Sequence, residues 1–455
     1  MFRRILVANR GEIAARVIRA CREMGIDTVA VHSTADAASP HLRLAGRSIC
    51  IGPAQASRSY LDMDAVLQAA EQTDCQAIHP GYGFLSENAL FASRCAAHQI
   101  TFIGPTPRLM RLMGDKVEAR RTMRDAGLST IPGSEGALAG PDEASHMAAE
   151  VGYPVFLKAS AGGGGKGMRR CADEKTLRLG FAEASNEAEK AFGNPALYLE
   201  KAIVGGRHIE FQVLADSWGH AIHLGERECS VQRHHQKLIE ESPSPAVDRD
   251  TREMLGAQVA RALETLGYRG AGTMEFLRDH DGRLYFMEMN TRLQVEHPIT
   301  EAITGVDIVK EQIRIAANEP LRMTQHDVVC SGWALECRIN AEDPDDDFRP
   351  SPGTITRFAP PAGLRVDSHI DEGDAGYKVP PWYDSLIAKV ISHGADRAQA
   401  IAKMADGLRG FHIEGIKTTI PLHLRVLESP EFLAGDYDVG LLENMAAELN
   451  SLKER

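Results

Sequence analysis

Apolar residues in the first 110 or so positions alternate between two periods. Residues 4–8 form a short apolar run typical of a buried strand, and residues 9–11 are typical of a turn. A helix is predicted over 12–24, where apolar residues recur at helical spacing: Ile13, Val17, Cys21 and Met24. Further strands are predicted at 28–31, 49–51, 77–78 and 100–103, with helices at about 61–72 and 87–98. This alternation predicts a mostly parallel, doubly wound sheet.

The pattern changes after this region. Thr106-Pro107 is typical of a helix start, with threonine as the cap and proline in the first turn. From residue 114 to about 330 the predicted strands are more hairpin-like and are interrupted by glycine-rich stretches at 162–165 and 205–206. A passage rich in proline and aspartate at 344–361 introduces short strands and a helical end. We therefore expect an enzyme built in three parts.

Composition and charge limit the class of protein. The 455 residues include 51 Lys and Arg against 63 Asp and Glu, which gives a formal net charge of −12. This acidic balance argues against a nucleic-acid-binding protein. Eight cysteines occur without any C-x-x-C pair, as in a reduced cytosolic protein. No apolar run is long enough for a signal peptide or a membrane span, so we expect a soluble, cytoplasmic protein.

A glycine-rich loop follows the apolar residues 154–157. It runs Lys158-Ala-Ser-Ala-Gly-Gly-Gly-Gly-Lys166-Gly-Met168, so lysines stand on both sides of four glycines. Glycines allow backbone N–H groups to crowd around phosphate oxygens, and lysine adds charge. The loop is not a Walker A motif, because Ser160 and Gly167 stand where glycine and Ser/Thr are required. A mobile cover for phosphates and a flexible hairpin or linker both remain open.

Two glutamates are placed opposite each other by a predicted hairpin. Residues 272–277 and 284–290 are apolar runs around Asp281-Gly282, a favoured two-residue turn. With that turn, Glu275 lies directly opposite Glu288, and Asn290 is on the same face. Two carboxylates at this spacing repel unless a cation lies between them, and with an amide oxygen they suit Mg²⁺. A solvated strand face is the alternative.

Two polar runs follow the same logic. Arg292, Gln294 and Glu296 are spaced two apart, so on a strand they would point to one side, beside the metal candidates. Arginine can hold a small oxyanion with paired hydrogen bonds, and a nearby glutamate can act as a base. The second run, 226–237, includes His234 and His235, which would face opposite ways on a strand and could not share a metal. An exposed strand edge and a surface loop are the respective alternatives.

Together these segments resemble the biotin carboxylases of the ATP-grasp superfamily. The matching motifs run in family order and cover essentially the whole chain: 7–14, 79–88, 114–116, 162–167, 232–237, 288–297 and 336–342. The end of the chain also fits that subunit. The resemblance implies an α/β, three-part ATP-grasp architecture. Its parts would be an N-terminal Rossmann-like domain with a doubly wound parallel sheet (1–113), an ATP-grasp domain (114–330) with a mobile lid at about 132–202, and a C-terminal mixed α+β domain (331–455).

The resemblance implies ATP-dependent carboxylation of biotin, in which bicarbonate attacks the γ-phosphate to give carboxyphosphate. Phosphates would be held by Lys116, Lys158, Gly163, Gly164, Gly165, Lys166, Gly167 and Met168. The rest of the nucleotide would contact Glu200, Lys201, His208, Gln232, His235 and Leu277. Mg²⁺ or Mn²⁺ would be bound by Glu275, Glu288 and Asn290. Lys166 departs from the arginine that many relatives carry and keeps the charge.

Bicarbonate and biotin take the remaining implied roles. Bicarbonate would contact Lys237, Arg292, Gln294 and Val295, with Glu296 as its general base. Arg338 would stabilise the enolate of biotin, and Tyr82 would line the biotin pocket. The implied catalytic set is therefore Lys237, Arg292, Glu296 and Arg338.

The biotin itself is expected on another protein. The nearest match to the Met-Lys-Met motif of carrier domains is Ala402-Lys403-Met404, which lies in a helical pattern. We expect a separate biotin carboxyl carrier protein, separate carboxyltransferase subunits and a homodimer, with no nucleic-acid or membrane partner. The simplest complex is an acetyl-CoA carboxylase, which makes malonyl-CoA for fatty acid synthesis. Propionyl-CoA or pyruvate carboxylase, another ATP-grasp ligase and a non-catalytic nucleotide sensor are the alternatives.

Overall fold

A computed structural model describes residues 1–160 and 168–453, with side chains as far as residue 447. The N-terminal region contains β1 (Arg4–Val7), α1 (Gly11–Glu23), β2 (Asp27–Ser33), β3 (Arg47–Gly52), α2 (Met63–Gln72), β4 (Ala77–His79), α3 (Ala89–Ala97), β5 (Thr101–Phe102) and α4 (Pro107–Gly114). The strands are parallel in the order β3-β2-β1-β4-β5. Apolar clusters that include α1 and, separately, α2 and α3 cover this sheet. The predicted doubly wound parallel sheet is confirmed.

Side-chain caps account for small differences at the helix starts. Helix α2 begins at Met63, two residues later than predicted, because the Asp62 carboxylate accepts the backbone N–H groups of residues 64 and 65. Helix α3 likewise begins at Ala89, after the cap Asn88. Thr106 caps α4 as expected, accepting the N–H of Leu109.

A small layered unit follows. It comprises α5 (Lys116–Asp125), α6 (Pro141–Val151), β6 (Val155–Ala159), β7 (Met168–Cys171), α7 (Glu174–Phe192) and β8 (Leu197–Lys201). The antiparallel sheet β7-β6-β8 packs against α6 and α7 around an apolar core that includes Leu157, Leu177 and Leu199. Residues 161–167 lie outside the described residues, and they include the predicted phosphate ligands Gly163, Gly164, Gly165, Lys166 and Gly167. That this unit moves as a lid stays a prediction.

The largest sheet has eight antiparallel strands in the order β13-β12-β9-β10-β11-β14-β19-β18. In chain order, its strands up to β14 and the helices between them are β9 (Arg207–Ala215), β10 (Ala221–Arg233), β11 (Gln236–Ser242), α8 (Arg249–Leu266), β12 (Gly270–Arg278), β13 (Leu284–Asn290), α9 (His297–Thr304), α10 (Ile308–Ala316) and β14 (Trp333–Asn340). Strand β11 pairs with β14, so this sheet runs across the expected boundary at residue 330.

The C-terminal region completes the sheet and covers one of its faces. Its elements are β15 (Glu342–Asp343), β16 (Arg349–Pro350), β17 (Arg357–Ala359), β18 (Arg365–Ser368), β19 (Leu386–Gly394), α11 (Arg397–Gly410), β20 (His412–Glu414), α12 (Ile420–Leu427), α13 (Pro430–Ala434) and α14 (Leu441–Lys453). An apolar cluster joins β14 and β19 to α11 and α12. Among the described residues, no helix has the length and apolar composition needed to cross a bilayer.

Candidate active site

The hairpin β12–β13 places Glu275 directly opposite Glu288, as predicted, but not through the predicted turn. The loop has three residues, 280–282, and is closed by the N–H of Asp279 on the carbonyl of Arg283 at 2.9 Å. Gly282 supplies the left-handed conformation that ends such a loop, with φ 86°. The extra loop residue would shift the register by one. A bulge at Met287 shifts it back, so two deviations cancel at the glutamates.

The ammonium group of Lys237 lies at the centre of a buried polar cluster. Its Nζ donates to Glu210 Oε2 at 2.6 Å, Glu296 Oε1 at 2.7 Å and Glu275 Oε1 at 3.1 Å. A fourth contact, at 3.3 Å, reaches Gln294 Oε1. Burial lowers the pKa of Lys237, but the three carboxylates outweigh burial and hold the pKa well above its ordinary value. Lys237 is therefore a permanent cation.

The Glu296 carboxylate is held between two cations. While Oε1 accepts from Lys237, Oε2 accepts from the Arg338 guanidinium at 2.8 Å. Burial raises the pKa of Glu296, but the opposing effect of Lys237 and Arg338 is larger, so the pKa lies below its ordinary value. Nε of Arg338 donates to Glu240 Oε1 at 2.6 Å, so the guanidinium bridges two glutamates. Glu296 is ionised and able to accept a proton.

The predicted strand through Arg292, Gln294 and Glu296 is wrong. Strand β13 ends at Asn290, and residues 291–296 form a turn that leads into α9, with Glu296 as its N-terminal cap residue. Gln294 and Glu296 nevertheless meet at Lys237. Nε of Arg292 instead donates to Glu87 Oε2 at 2.9 Å, on the segment before α3. The turn, and not alternation on a strand, brings Gln294 and Glu296 together at Lys237.

The predicted metal ligands have the charge pattern that a cation site requires. Glu275 Oε1 accepts hydrogen bonds from Lys237, Asn290 and Gln294, and Oε2 lies 3.0 Å from His208 Nε2. Glu288 forms an ion pair of 3.2 Å with Lys116. A protein cation thus neutralises each of the two facing carboxylates. A divalent ion would replace these cations or share the carboxylates with them. The hard oxygens of Glu275, Glu288 and Asn290 fit Mg²⁺.

Glu210 was not predicted from the sequence. Two groupings of ligand-type side chains have their atoms within 4.8 Å of one another: His208 with Glu210 and Glu275, and Glu210 with Cys229 and Glu296. Three of these carboxylates bind the Lys237 ammonium, which supplies the positive charge they share. Nothing in the order of residues along β9 marks Glu210, because its partners come from other strands.

One lysine and one arginine at the predicted nucleotide side are held by Glu200. Nζ of Lys158 lies 2.5 Å from Glu200 Oε2, and Nε of Arg120 lies 3.3 Å from Oε1. Met168 pairs with Lys158 across β6 and β7, so the ends of the glycine loop are anchored side by side. Leu277 lies directly opposite His208 across β12 and β9. Lys158, Met168 and Glu200 therefore lie on neighbouring strands of the small sheet, and His208 and Leu277 lie on neighbouring strands of the large sheet.

Comparison with known proteins agrees with this geometry. Models of the biotin carboxylase N-terminal domain, the carbamoyl-phosphate synthase L chain ATP-binding domain and the biotin carboxylase C-terminal domain match residues 1–110, 115–324 and 336–444. The biotin carboxylase of Nostoc sp. is 54% identical over 98% of this chain and 99% of its own. This chain belongs to the biotin carboxylase family. At this identity over the whole chain, the family membership establishes an ATP-dependent biotin carboxylase with the ATP-grasp fold.

Two further relatives of the family show its range. The propionyl-CoA carboxylase alpha chain of Mus musculus is 48% identical over 98% of this chain and 62% of its own. A crystal structure of the biotin carboxylase domain dimer of Hydrogenobacter thermophilus 2-oxoglutarate carboxylase, in complex with MgADP, ADP and bicarbonate, is 49% identical. Its TM-score is 0.93 and the match covers 98% of each chain. Biotin carboxylases of this similarity therefore serve more than one acyl or keto acid substrate.

Some residues expected from the family pattern lie differently from the sequence-based picture. Lys201 was counted among the cations around ATP, but its ammonium donates to the carbonyls of Gly152 and Tyr153, at 2.7 and 3.0 Å, at the end of α6. Because consecutive side chains alternate between the faces of a strand, the side chains of Lys201 and Glu200 lie on opposite faces of β8. A contact of Lys201 with the nucleotide would therefore use its backbone. His234 and His235 do not lie on a strand, since both form the left-handed turn between β10 and β11, beside the Gln232–Lys237 pair.

A buried lysine that sequence reasoning missed supports the turn formed by residues 291–296. Lys389 has no exposed surface, and its Nζ donates to the carbonyl of Val295 at 2.9 Å. It also lies 3.3 Å from Glu12 Oε2, while the Tyr82 hydroxyl donates to the other oxygen of Glu12. Burial raises the pKa of Glu12 to about 7, against the opposing effect of Lys389. A single charged residue in the apolar strand 386–391 was the available signal.

Arg227 is expected to be a main source of stability at this site. Its Nε lies 2.5 Å from Glu210 Oε1, both side chains are fully buried, and its other nitrogens bind Gln212, Thr273 and Thr300. Arg227→Ala should lower the free energy of unfolding by about 3–5 kcal/mol, because one partner of a buried pair is lost. Urea unfolding measures this effect. Arg249→Ala, which breaks the exposed pair with Glu253, is the control and should leave the unfolding midpoint almost unchanged. Equal effects of the two substitutions would contradict the prediction.

Proposed function

We propose that this biotin carboxylase carboxylates biotin on a separate carrier protein, through carboxyphosphate, as the first half-reaction of an acetyl-CoA carboxylase. The observation that carries the chemical part is the ionised Glu296 carboxylate held between Lys237 and Arg338. A base between two cations suits a reaction in which an anion must be bound and then deprotonated.

Bicarbonate would enter the cluster around Lys237. Its negative charge would be shared by Lys237 and Arg292, with Gln294 and the N–H of Val295 as further donors. An anion that draws Lys237 towards itself weakens the hold of Lys237 on Glu296, which raises the basicity of that carboxylate. Glu296 would take the bicarbonate proton as a bicarbonate oxygen attacks the γ-phosphorus and ADP leaves.

Biotin would approach from the side of Arg338. Carboxyphosphate would break into CO₂ and phosphate, and the phosphate would take the ureido N–H proton of biotin. Once Glu296 is protonated it binds Arg338 less strongly, so the guanidinium can meet the ureido oxygen as that oxygen becomes negative. Tyr82, whose hydroxyl is held by Glu12, would line the biotin pocket. The same arginine would thereby serve both halves of the reaction.

The nucleotide would lie between the small sheet β7-β6-β8 and the large sheet. Lys116 and Lys158, each paired with a glutamate in this structure, would turn to the phosphates. The metal held by Glu275, Glu288 and Asn290 would neutralise phosphate charge as the γ-phosphoryl group is transferred. Leu277, His208, Gln232 and His235 would contact the rest of the nucleotide.

The setting of Lys403 bears on which complex this enzyme belongs to. Lys403 of Ala402-Lys403-Met404 lies within helix α11 and donates to the carbonyl of His393, so it does not have the hairpin setting of a biotinylated lysine. This setting favours a carrier on another polypeptide, and separate carboxyltransferase subunits belong to the same proposal. The dimer of the Hydrogenobacter domain supports a homodimer.

The test uses the purified enzyme with free biotin, MgATP and ¹⁴C-bicarbonate. We expect ATP hydrolysis that depends on bicarbonate and is stimulated by biotin, and acid-labile label that co-elutes with biotin. Absence of biotin stimulation would favour another ATP-grasp ligase. Reconstitution with the biotinylated protein that co-purifies from cells, its carboxyltransferase and acetyl-CoA should then give malonyl-CoA. Preference for propionyl-CoA or pyruvate would replace acetyl-CoA carboxylase with those alternatives.

A further inference from the structure

Two glutamates that the proposed reaction does not use lie directly opposite each other behind Arg338. Glu240 of β11 pairs with Glu336 of β14 in the antiparallel register, so their side chains are on one face of the sheet. Both are completely buried. Helix α9 covers this face, with Ile299 and Ile303 packed on Ala334 and Ile391. Water is therefore kept away from both carboxyl groups.

Only one of the four oxygens of this carboxyl pair accepts a hydrogen bond from the described residues. Glu240 Oε1 accepts from Arg338 Nε at 2.6 Å, but Glu240 Oε2 and both oxygens of Glu336 have no partner among the described residues. Two ionised carboxylates on directly opposed positions repel strongly in such surroundings. A proton held between them would give these oxygens a partner and remove one of the two charges.

The charged and titratable groups around the pair come from every neighbouring element. They are Lys237 on β11, Cys229 on β10, Arg338 and Cys337 on β14, Lys389 on β19, and Glu296 at the start of α9. The Lys389 ammonium is engaged by Val295 and Glu12, and Lys237 by its three carboxylates. Arg338 is the one cation of this set that binds the pair directly, and it is shared with Glu296. One arginine cannot neutralise three carboxylates.

We infer that Glu240 and Glu336 share one proton, and that this singly charged pair positions Arg338 and sets the charge around it. The inference rests on the proposed role of Arg338 with biotin. Burial raises the pKa of Glu240 to about 7, although Arg338 acts to lower it. Burial likewise holds the pKa of Glu336 well above its ordinary value, against the opposing effect of Lys389. Glu240 and Glu336 are positioning residues, since they act through the arginine.

The shared proton has a consequence for the pH dependence of the biotin reaction. When the proton is lost at alkaline pH, the pair carries a second negative charge beside the place where the biotin oxygen becomes negative. It also binds Arg338 more tightly. Biotin-stimulated turnover should then fall as pH rises, whereas bicarbonate-dependent ATP hydrolysis without biotin, which needs Glu296 and Lys237, should fall less.

Glu336→Gln tests this directly because the amide donates a hydrogen bond to Glu240 and fixes the charge of the pair at minus one. We expect biotin-stimulated turnover within about threefold of wild type at neutral pH, since charge and shape are kept. The pH at which biotin-stimulated turnover declines should rise by about one unit or more. At a pH where the wild type has declined, the variant should therefore be about tenfold more active than the wild type. The double variant Glu240→Gln/Glu336→Gln removes the remaining charge and should lose activity at every pH.

Other outcomes would overturn the shared proton. If both glutamates were ionised, Glu336→Gln would change activity at every pH, without a selective loss of the alkaline fall. If both were neutral, the double variant would behave like wild type. Infrared difference spectroscopy of wild type against Glu336→Gln adds a readout independent of turnover: a protonated carboxylic C=O band must be present in wild type and lost in the variant. That measurement still decides the inference if the wild type shows no stimulation by biotin, a result that would instead remove the proposed function.

Discussion

Lys237→Met is expected to reduce bicarbonate-dependent ATP hydrolysis by about two to three orders of magnitude, the equivalent of losing one partner of a buried ion pair. The ammonium group binds Glu210, Glu275 and Glu296 at the same time, and the first of these also binds Arg227. Without Lys237, three buried carboxylates face one another and take up protons. The proposed base is then no longer ionised, and the bicarbonate site has lost its central cation.

Steady-state kinetics with varied bicarbonate measure this effect. Lys175→Met is the matched control, because Lys175 is exposed on α7 and lies far along the chain from the cluster. Its activity should equal that of wild type. Thermal unfolding of both variants separates a damaged fold from a damaged site. If Lys237→Met folds and keeps its bicarbonate kinetics, Lys237 is not the anion ligand proposed above.

Glu296→Gln is expected to lower turnover with bicarbonate and biotin by about 10²–10⁴, the usual contribution of a general base. The amide is similar in shape, and its one oxygen can still accept from Lys237 or Arg338, although its NH2 group cannot accept from the other cation. It cannot take the bicarbonate proton. ATP affinity, measured by calorimetry with a non-hydrolysable analogue, should change little because the nucleotide residues lie on other strands.

The control for this charge change is Glu189→Gln, at an exposed position on α7. It should have wild-type turnover. A Glu296→Gln enzyme that hydrolyses ATP as fast as wild type would show that this carboxylate is not the base. The same result would favour a protein that binds nucleotide without carboxylating biotin.

Local patterns predicted the parts of this fold that depend on neighbours in sequence. The alternation of apolar runs and helical spacings predicted the parallel sheet, since strand and helix periods are properties of short segments. The pairing of Glu275 with Glu288 was also correct, although the two-residue turn behind it was wrong. A three-residue loop and a bulge cancel there, and turn composition alone does not reveal a bulge six residues away.

Residues 291–296 show where such patterns stop being informative. A spacing of two suggested a strand, yet the segment turns into α9, and contacts from β11 and β14 decide where its side chains lie. Lys201 was likewise predicted to contact the nucleotide, but its place in the sequence does not show which group its ammonium binds. The end of α6 lies beside it and takes its ammonium instead.

The sequence by itself determined the architecture of the N-terminal sheet, the family resemblance and the identity of most charged groups at the site. Those features are encoded in short periodic segments and in motifs whose residue types carry the chemistry. Only the tertiary structure decided how the charges are matched. Lys237 binds glutamates from β9, β12 and the start of α9, and Arg338 binds Glu240 and Glu296. Glu336 has no ionic partner in the described part of the chain. Charge matching depends on distances between segments that are far apart in the chain. Because a buried site has a low effective dielectric constant, small differences in those distances change the interaction energy strongly.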